Sequence, residues 1–406
     1  MFYSREEFIR QLGVTSMPDA FGLHFTEVME EYNANGVSFL TDAYIDALQA
    51  EFDLFPEKYS FVKYEAERIR QDSFLSQYCL LLKHMLDDKD PETMLTLQDE
   101  PTCEDAERKI DLEMAGFFAQ IAYVPEMVHA LRLRNVPEHI IRQTIKCFET
   151  GIRVYNGCFG RDGYEIKRSF WWNQHYISGR IVNLGVLSFE IKKSFTDIVR
   201  IFTNRMGDYK ILSNGQRISD NGLIAGSMNC PDEHFVADIL ETDDGFWGYE
   251  VDTANARVSC NRVFLSKEEW LPAISENDHV INIHIPDKTN LDMECITQSL
   301  VTAKALFDAC YPDFKPKAFT CNSWLMDPKL KDLLGQHSKI ADFQSLFMRY
   351  PRLSSGNACF KFLFRKPFSN YEDLTENTSL QRKVKALYLN GGCIYDPCGV
   401  LFFDQL

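Results

Sequence analysis

Polar side chains able to do chemistry follow two apolar segments in the second half of the sequence. In HVINIHIPDKTNLDMECITQ, residues 279–298, apolar residues alternate up to His284. In KAFTCNSWLMDPKL, residues 317–330, an apolar run ends at Cys321. An imidazole suits a general base near neutral pH, whereas a thiol suits a nucleophile. Hydroxyl and amide groups that could bind an oxyanion or a phosphate come from Thr289, Asn290, Asn322 and Ser323.

The surrounding pattern predicts the elements that must position these groups. Alternation predicts a strand over Val280–Ile285, and apolar spacing of three and four predicts a helix over Leu291–Phe307. The second segment would return as a parallel strand, because the connection is long enough for a right-handed crossover. The carboxyl ends of both strands then meet at one edge of the sheet, where α/β proteins bind ligands. We therefore expect His284 and Cys321 to converge at that edge.

The turn over residues 287–290 is a candidate phosphate site. The free amides in the first turn of a helix bind anions without needing many cations. Lys288 could meet a phosphate there, although a lysine in a polar turn is more often a solvated surface charge. Thr289 or Asn290 could instead cap the helix, which is the more common role of these residue types.

Other residues leave the chemistry open. Glu250 and Asp252 in GYEVD are alternative bases on a preceding hairpin, although carboxylates on the outer face of a hairpin are usually solvated. Glu190 could line an acceptor pocket or be a surface charge. Cys321 could be a nucleophile activated by His284, or it could pack as a small apolar residue.

The sequence divides into two parts that differ in the spacing of their apolar residues. At 406 residues the chain is long enough for two domains, because single cores stop growing at about 250 to 300 residues. Apolar spacing of three and four dominates the first part, as in VPEHIIRQTIKCF, and strand-like and helical segments alternate afterwards. The sequence therefore predicts an α-helical domain over residues 1–155 and a mixed-sheet domain, α+β or α/β, over residues 156–406.

Charge and composition limit the partners and the compartment. The net charge is −16, and residues 1–150 hold 28 acidic but only 14 basic side chains. This disfavours nucleic acid and suits a partner that carries positive charge. No apolar run approaches the roughly 18 residues of a membrane span, and the N-terminal residues lack the pattern of a secretory signal. Twelve cysteines without a CxxC spacing favour reduced thiols and no metal site, so we expect a cytoplasmic protein.

The order of motifs resembles a bacterial acyltransferase family. Two antiparallel strands are followed by HVINIHIP, a helix, AFTCNSWLMDPKL, KIADFQSLFM and finally TSLQRKVKALYLNGG. In that family, a helical N-terminal N-acyltransferase domain precedes a domain similar to the GNAT N-acetyltransferases. The resemblance extends over residues 10–400 and implies a GNAT-like C-terminal domain.

The resemblance also implies a function. The sheet would split between HVINIHIP and KAFTCNSW, and the pantetheine arm of acetyl-CoA or another acyl-CoA would enter the split as an additional strand. Its pyrophosphate would lie at the start of the helix that begins near Leu291. His284 would take the proton of an attacking amine, and polar donors would stabilise the tetrahedral oxyanion. The implied reaction transfers an acyl group to a small-molecule amine.

Two departures from the wider superfamily keep other hypotheses open. The turn PDKTNLD has none of the glycines of the usual R/Q-x-x-G-x-G/A loop, and Gln344 stands where a thiolate-protonating tyrosine is usual. Glutamine cannot donate a catalytic proton. The alternatives are a non-enzymatic protein that keeps the ligand site, and a Cys321/His284 acyl hydrolase.

Overall fold

The computed structural model describes residues 3–14, 19–87, 103, 105–196, 198–365 and 369–406. The chain divides into two compact units, Met1–Asn183 and Leu184–Leu406. The boundary predicted from sequence, at residues 155 and 156, lies inside a helix instead. That helix ends at Gly160, which has a left-handed conformation with φ of 71°. A further helix follows before the strands begin.

The first unit is helical. Its described helices are α1 (Arg5–Leu12), α2 (Asp19–Asn35), α3 (Asp42–Phe52), α4 (Tyr59–Gln71), α5 (Ser73–Met85), α6 (Ala106–Ile121), α7 (Val124–Leu133), α8 (Glu138–Ile145), α9 (Cys147–Phe159) and α10 (Ile166–Ile177). Helix α6 begins at a cap in which Asp105 accepts hydrogen bonds from the amides of Glu107 and Arg108. Helices α5 and α6 bury nearly every residue along most of their length, which makes them the centre of this unit.

The second unit combines two principal sheets with shorter helices. Its strands are β2 (Leu187–Lys192), β3 (Val199–Thr203), β4 (Tyr209–Ser213), β5 (Gln216–Ile218), β6 (Phe235–Ala237), β7 (Leu240–Glu241), β8 (Gly245–Asp252), β9 (Arg257–Ser266), β10 (Leu271–Ile274), β11 (His279–His284), β12 (Pro316–Asn322), β13 (Met348–Tyr350) and β14 (Cys398–Phe402), with β1 (Ile181–Leu184) at the division. Its α-helices are α11 (Met293–Cys310), α12 (Lys329–Leu334), α13 (Lys339–Ser345), α14 (Ala358–Leu363) and α15 (Ser379–Leu389).

The strands form a mixed sheet and an antiparallel sheet. In the mixed sheet the order is β2-β11-β12-β14-β13, and only β11 and β12 are parallel in this series. The other sheet has the order β10-β3-β4-β8-β7, with β9 also on β8. One apolar core contains side chains of both sheets, among them Ile201, Ile211, Val280, Ala318 and Val400. This burial holds the two sheets face to face.

The crossover predicted from sequence is present. Strand β11 leads into helix α11, and β12 returns parallel to β11. The predicted helix start was two residues early, because Asp292 is the N-cap and its carboxylate accepts the amide of Glu294 at 3.2 Å. A helical region followed by a mixed-sheet domain confirms the predicted fold class. Among the described residues, no helix combines the length and apolarity needed to cross a membrane.

Candidate functional site

Strands β11 and β12 separate at their carboxyl ends. Their parallel register ends at the pair Asn282 and Thr320. Beyond that pair, β11 stays with β2 as far as His284 opposite Ser188, while β12 stays with β14 as far as Asn322. The last two residues of each strand therefore border a gap in the sheet. The parallel strands have two facing edges here at which an extended ligand could add hydrogen bonds.

A polar cluster lies beside this gap. His284 Nε2 lies 2.8 Å from Glu190 Oε2, and the amide nitrogen of Asn282 donates to the same oxygen at 3.2 Å. Thr320 donates its hydroxyl to Asn282 Oδ1 at 3.2 Å. On the other carboxylate oxygen, Lys192 Nζ is 2.8 Å away. Three neighbouring strands thus present these side chains on one face of the sheet.

The carboxylate at the centre of the cluster is buried and ionised. Glu190 is 3% exposed, whereas the side chain of His284 is 26% exposed and reaches solvent. Burial acts to raise the pKa of Glu190, but the hydrogen bonds and charges of His284 and Lys192 outweigh it and hold the pKa at about 2. Neither sequence interpretation of Glu190, as a pocket residue or a surface charge, included this internal role. The alternating pattern of LSFEIKK was the available sequence signal for this role. However, β2 pairs with β11, which lies far away in the sequence.

Cys321 does not join the cluster. Side chains alternate along a strand, and its neighbour Thr320 points towards Asn282, so Cys321 projects from the opposite face of the sheet to His284. The thiol is 1% exposed, and burial raises its pKa far above the ordinary range. The predicted convergence of thiol and imidazole is therefore wrong, and the geometry gives no support to a Cys321/His284 hydrolase.

This geometry makes a direct prediction for Cys321→Ala. We expect turnover of an acyl-CoA to stay within about twofold of wild type, because the thiol has no path to the gap. The loss of a buried sulfur should lower the free energy of unfolding by about 1 kcal/mol. Thioester cleavage rates and urea denaturation check both parts, with Cys260→Ala, at an exposed cysteine, as the control. A hundredfold loss of turnover in folded Cys321→Ala, without such a loss in Cys260→Ala, would support Cys321 as a nucleophile.

The carboxylates of the β8 hairpin are also separate from His284. Glu250 pairs across the ladder with Leu212, whose side chain belongs to a core on the face of the antiparallel sheet that points away from the mixed sheet. Its described ion partner is Lys210 at 3.3 Å. Asp252 accepts the amide of Ala254 at 3.0 Å and shapes the following turn. Neither carboxylate is placed to act as the base of the β11 site.

The turn after β11 does not supply the cap of α11 that was one of its two predicted roles. Thr289 donates its hydroxyl to Pro286 O at 2.7 Å, and Asn290 accepts from Lys339 Nζ at 2.6 Å, so neither residue caps α11. Lys288 is exposed and has a positive φ of 61°. Asp287 pairs with Arg365. Both Lys339 and Arg365 come from later in the chain, so sequence spacing could not show that they approach this turn.

The remaining polar residues of the second segment lie at the gap or next to it. Asn322 ends β12 and is exposed. Ser323 begins a short 3-10 helix, where its hydroxyl accepts the amide of Leu325 at 3.1 Å. The side chain of Ser323 is therefore used as a cap, whereas that of Asn322 projects beside the open edge.

Gln344 has a structural environment. It is 2% exposed, and its amide nitrogen donates to the carbonyl oxygens of Leu325 and Asp327 at 2.7 and 2.9 Å. Its oxygen accepts from Arg349 at 2.9 Å, and the same guanidinium donates to Ala254 O at 2.6 Å. The side chain that stands at the position of the usual tyrosine thus ties the segment after β12 to the interior.

Gln344→Ala should therefore damage stability and spare chemistry. We expect the free energy of unfolding to fall by about 2 to 4 kcal/mol, because two buried carbonyls and a buried guanidinium lose their partner. The rate per folded molecule should change less than about twofold. The matched control is Gln298→Ala, since Gln298 is exposed on α11 and bonds Thr302 at 2.9 Å. A stable Gln344→Ala protein with strongly reduced turnover would contradict this assignment.

Within the described residues, no group of three or more histidine, cysteine or acidic side chains is arranged to hold a metal ion.

Solved structures of acyltransferases share the fold of this chain. No curated protein matches the chain. An acyltransferase solved in complex with decanoyl-CoA and teicoplanin is 16% identical and has a TM-score of 0.62, with 98% of this chain and 99% of that chain covered. An acyltransferase variant solved with octanoyl-CoA is 15% identical, with the same TM-score and coverage. At this identity the likeness concerns the fold.

The family relation comes from the second unit. A family model described as the GNAT-like C-terminal domain matches residues 181–401. The matched range includes β2, β11 and β12 and therefore the whole polar cluster. Because this range is more than half of the chain, the protein belongs to the family of proteins with a GNAT-like C-terminal domain.

Proposed function

We propose that the protein is an N-acyltransferase that transfers an acyl group from an acyl-CoA to an amine. The observation that carries this proposal is the separation of β11 and β12 with His284 at its edge. The pantetheine arm has amide groups at intervals along an extended chain, and such a chain can pair with the open edges of two strands. The thioester would then lie near the ends of β11 and β12, within the region that His284 borders.

The charges around the turn fit the remainder of coenzyme A. Lys288, Lys339 and Arg365 supply cations beside the first turn of α11, whose amides favour an anion. Among the described residues, Asp287 Oδ2 is buried without a hydrogen-bond partner. A pantetheine amide or hydroxyl could donate to that oxygen. These groups take the place of the glycine-rich loop that the turn lacks.

The reaction can be written with His284 as the only proton carrier. The amine nitrogen forms a bond to the thioester carbon, and the nitrogen proton moves to the imidazole. The carbon–sulfur bond breaks, and the imidazolium returns the proton to the departing thiolate. The products are an amide and free coenzyme A. This cycle does not require a tyrosine at position 344.

The acceptor and the acyl chain are proposed from the ligands of the solved acyltransferases and from the charge of the chain. The solved acyltransferases of the same fold were bound to decanoyl-CoA or octanoyl-CoA, and one of them also to teicoplanin. We therefore propose a medium-chain acyl donor and a small-molecule acceptor with a free amine. The acidity of residues 1–150 favours an acceptor that carries positive charge.

Thermal unfolding with acyl-CoA tests the proposal first. A ligand at a hundred times its dissociation constant adds about 2.7 kcal/mol to the stability of the form that binds it. We expect acetyl-CoA, octanoyl-CoA or decanoyl-CoA to raise the melting temperature, and mass spectrometry to find an amide with at least one member of a panel of amino sugars, polyamines and amino acids. No shift with any donor at millimolar concentration would overturn the proposal. Binding without an amide product would support the non-enzymatic alternative.

A further inference from the structure

Hydrogen bonds around Glu190 impose one orientation on every member of the cluster. The carboxylate can only accept, so the 2.8 Å contact requires a hydrogen on His284 Nε2. Thr320 lies 3.2 Å from Asn282 Oδ1, which leaves the Asn282 amide nitrogen directed at the same Glu190 oxygen. That nitrogen also lies 3.2 Å from His284 Nε2, and the two nitrogens are neighbouring donors that share the Glu190 oxygen as their acceptor. One arrangement of hydrogens therefore satisfies all of these contacts.

We propose that Glu190 is a positioning residue that fixes His284 as the tautomer with hydrogen on Nε2, so that Nδ1 is the atom that accepts the proton of the acceptor amine. The proposal rests on the proposed acyltransferase function. Glu190 does not touch the substrate. Its ionised carboxylate orients the ring and stabilises the imidazolium that forms when Nδ1 takes a proton.

Among the described contacts, Glu190 is the charged side chain that directly contacts the His284 ring. Strand β2 contributes Glu190 and, through that carboxylate, Lys192 at 2.8 Å. Strand β12 contributes the neutral Thr320, and β11 itself the neutral Asn282. The next charged pair is Asp287 with Arg365, three residues further along the turn. Lys192 also keeps the carboxylate ionised, and half of its side chain is exposed, so replacing Glu190 leaves this cation in contact with water.

Nuclear magnetic resonance of protein labelled with 15N-histidine tests the tautomer directly. The His284 signals are assigned with a His284→Gln sample, and long-range proton–nitrogen spectra report which ring nitrogen carries the hydrogen. We expect hydrogen on Nε2 in the neutral ring of the wild type, with or without octanoyl-CoA. Hydrogen on Nδ1 in the wild type would overturn the proposal. This measurement needs no acceptor, so it does not depend on whether the proposed reaction is found.

The kinetic test uses Glu190→Gln, with Glu241→Gln as a matched control on an exposed ion pair with Lys267 at 2.8 Å. Octanoyl-CoA is the donor, and the amine is the one that the acceptor panel identifies. We expect Glu190→Gln to lower kcat about a hundredfold, with octanoyl-CoA affinity within about twofold. A purely structural role would lower the apparent kcat only through loss of folded protein, so the rate per folded molecule and the His284 tautomer would match those of the wild type.

The outcomes separate the two proposals. Octanoyl-CoA binding with no product from any amine would contradict the acyltransferase function while the tautomer result still stands or fails by itself. Normal turnover in folded Glu190→Gln would overturn the positioning role and leave the acyltransferase function intact. If Glu190→Gln does not fold, Asn282→Ala, which removes one donor from the carboxylate, should give a smaller loss of kcat in the same direction, and no loss would overturn the proposal.

Discussion

His284→Ala should lose between about a hundredfold and ten-thousandfold in kcat/KM for acyl transfer, which is the usual contribution of a positioned general base. The dissociation constant for octanoyl-CoA should change little, because the imidazole lies on one side of the gap and the strand edges that would hold pantetheine are backbone groups. Calorimetric titration and a continuous assay of released coenzyme A thiol measure the two quantities separately.

The control for this variant lies on the same strand. His279 begins β11 at the opposite end, where its Nδ1 accepts the amide of Lys315 at 3.3 Å and its ring stacks on Phe314. His279→Ala should cost some stability and leave the rate per folded molecule close to wild type. If His284→Ala retained more than a tenth of the wild-type rate at saturating donor, another base would have to be sought.

Asn322→Trp should weaken octanoyl-CoA binding at least about a hundredfold. Asn322 is the last residue of β12, it is exposed, and its backbone still pairs with Cys398 on the side away from the gap. An indole at this position would occupy the space beside the open edge, and a steric clash of this kind acts against a ligand in the gap. The melting temperature without ligand should stay within a few degrees, because the substitution is at the surface.

The matched control for Asn322→Trp is Asn261→Trp. Asn261 is also an exposed strand residue of the same unit, but it lies in the middle of β9 in the antiparallel sheet. Calorimetric titration with octanoyl-CoA should give an unchanged affinity for Asn261→Trp. Equal affinities for the two variants would mean that the donor binds elsewhere, and the proposed use of the β11–β12 gap would have to be abandoned.

Local sequence patterns were sufficient for the elements that depend on neighbouring residues. The alternation of HVINIHI and the spacing of the following helix predicted β11, α11 and the parallel return of β12, because periodicity reports which face of an element is buried. The resemblance to the acyltransferase family predicted a gap between the same two strands, and their register ends at Asn282 and Thr320. The predicted division between the units lies inside helix α9, and a further helix, α10, precedes the first strand.

The site was only partly accessible from the sequence. His284 was selected because it ends an apolar strand, and Lys288 and Asn322 because they follow such strands. Cys321 was selected for the same reason, yet a shift of one residue along a strand reverses the face of the sheet. A prediction that places residues at one end of a strand does not decide on which face each side chain lies.

Residue patterns alone were enough to predict the order of the elements, the parallel crossover and the position of an imidazole at the carboxyl edge of the sheet. The side chains that contact this imidazole could be identified only from the folded chain. Glu190 is 94 residues from His284 along the chain, and Arg365 is 78 residues from Asp287. Such pairs are set by strand register and by the packing of distant segments, whereas periodicity and spacing carry information about adjacent residues alone.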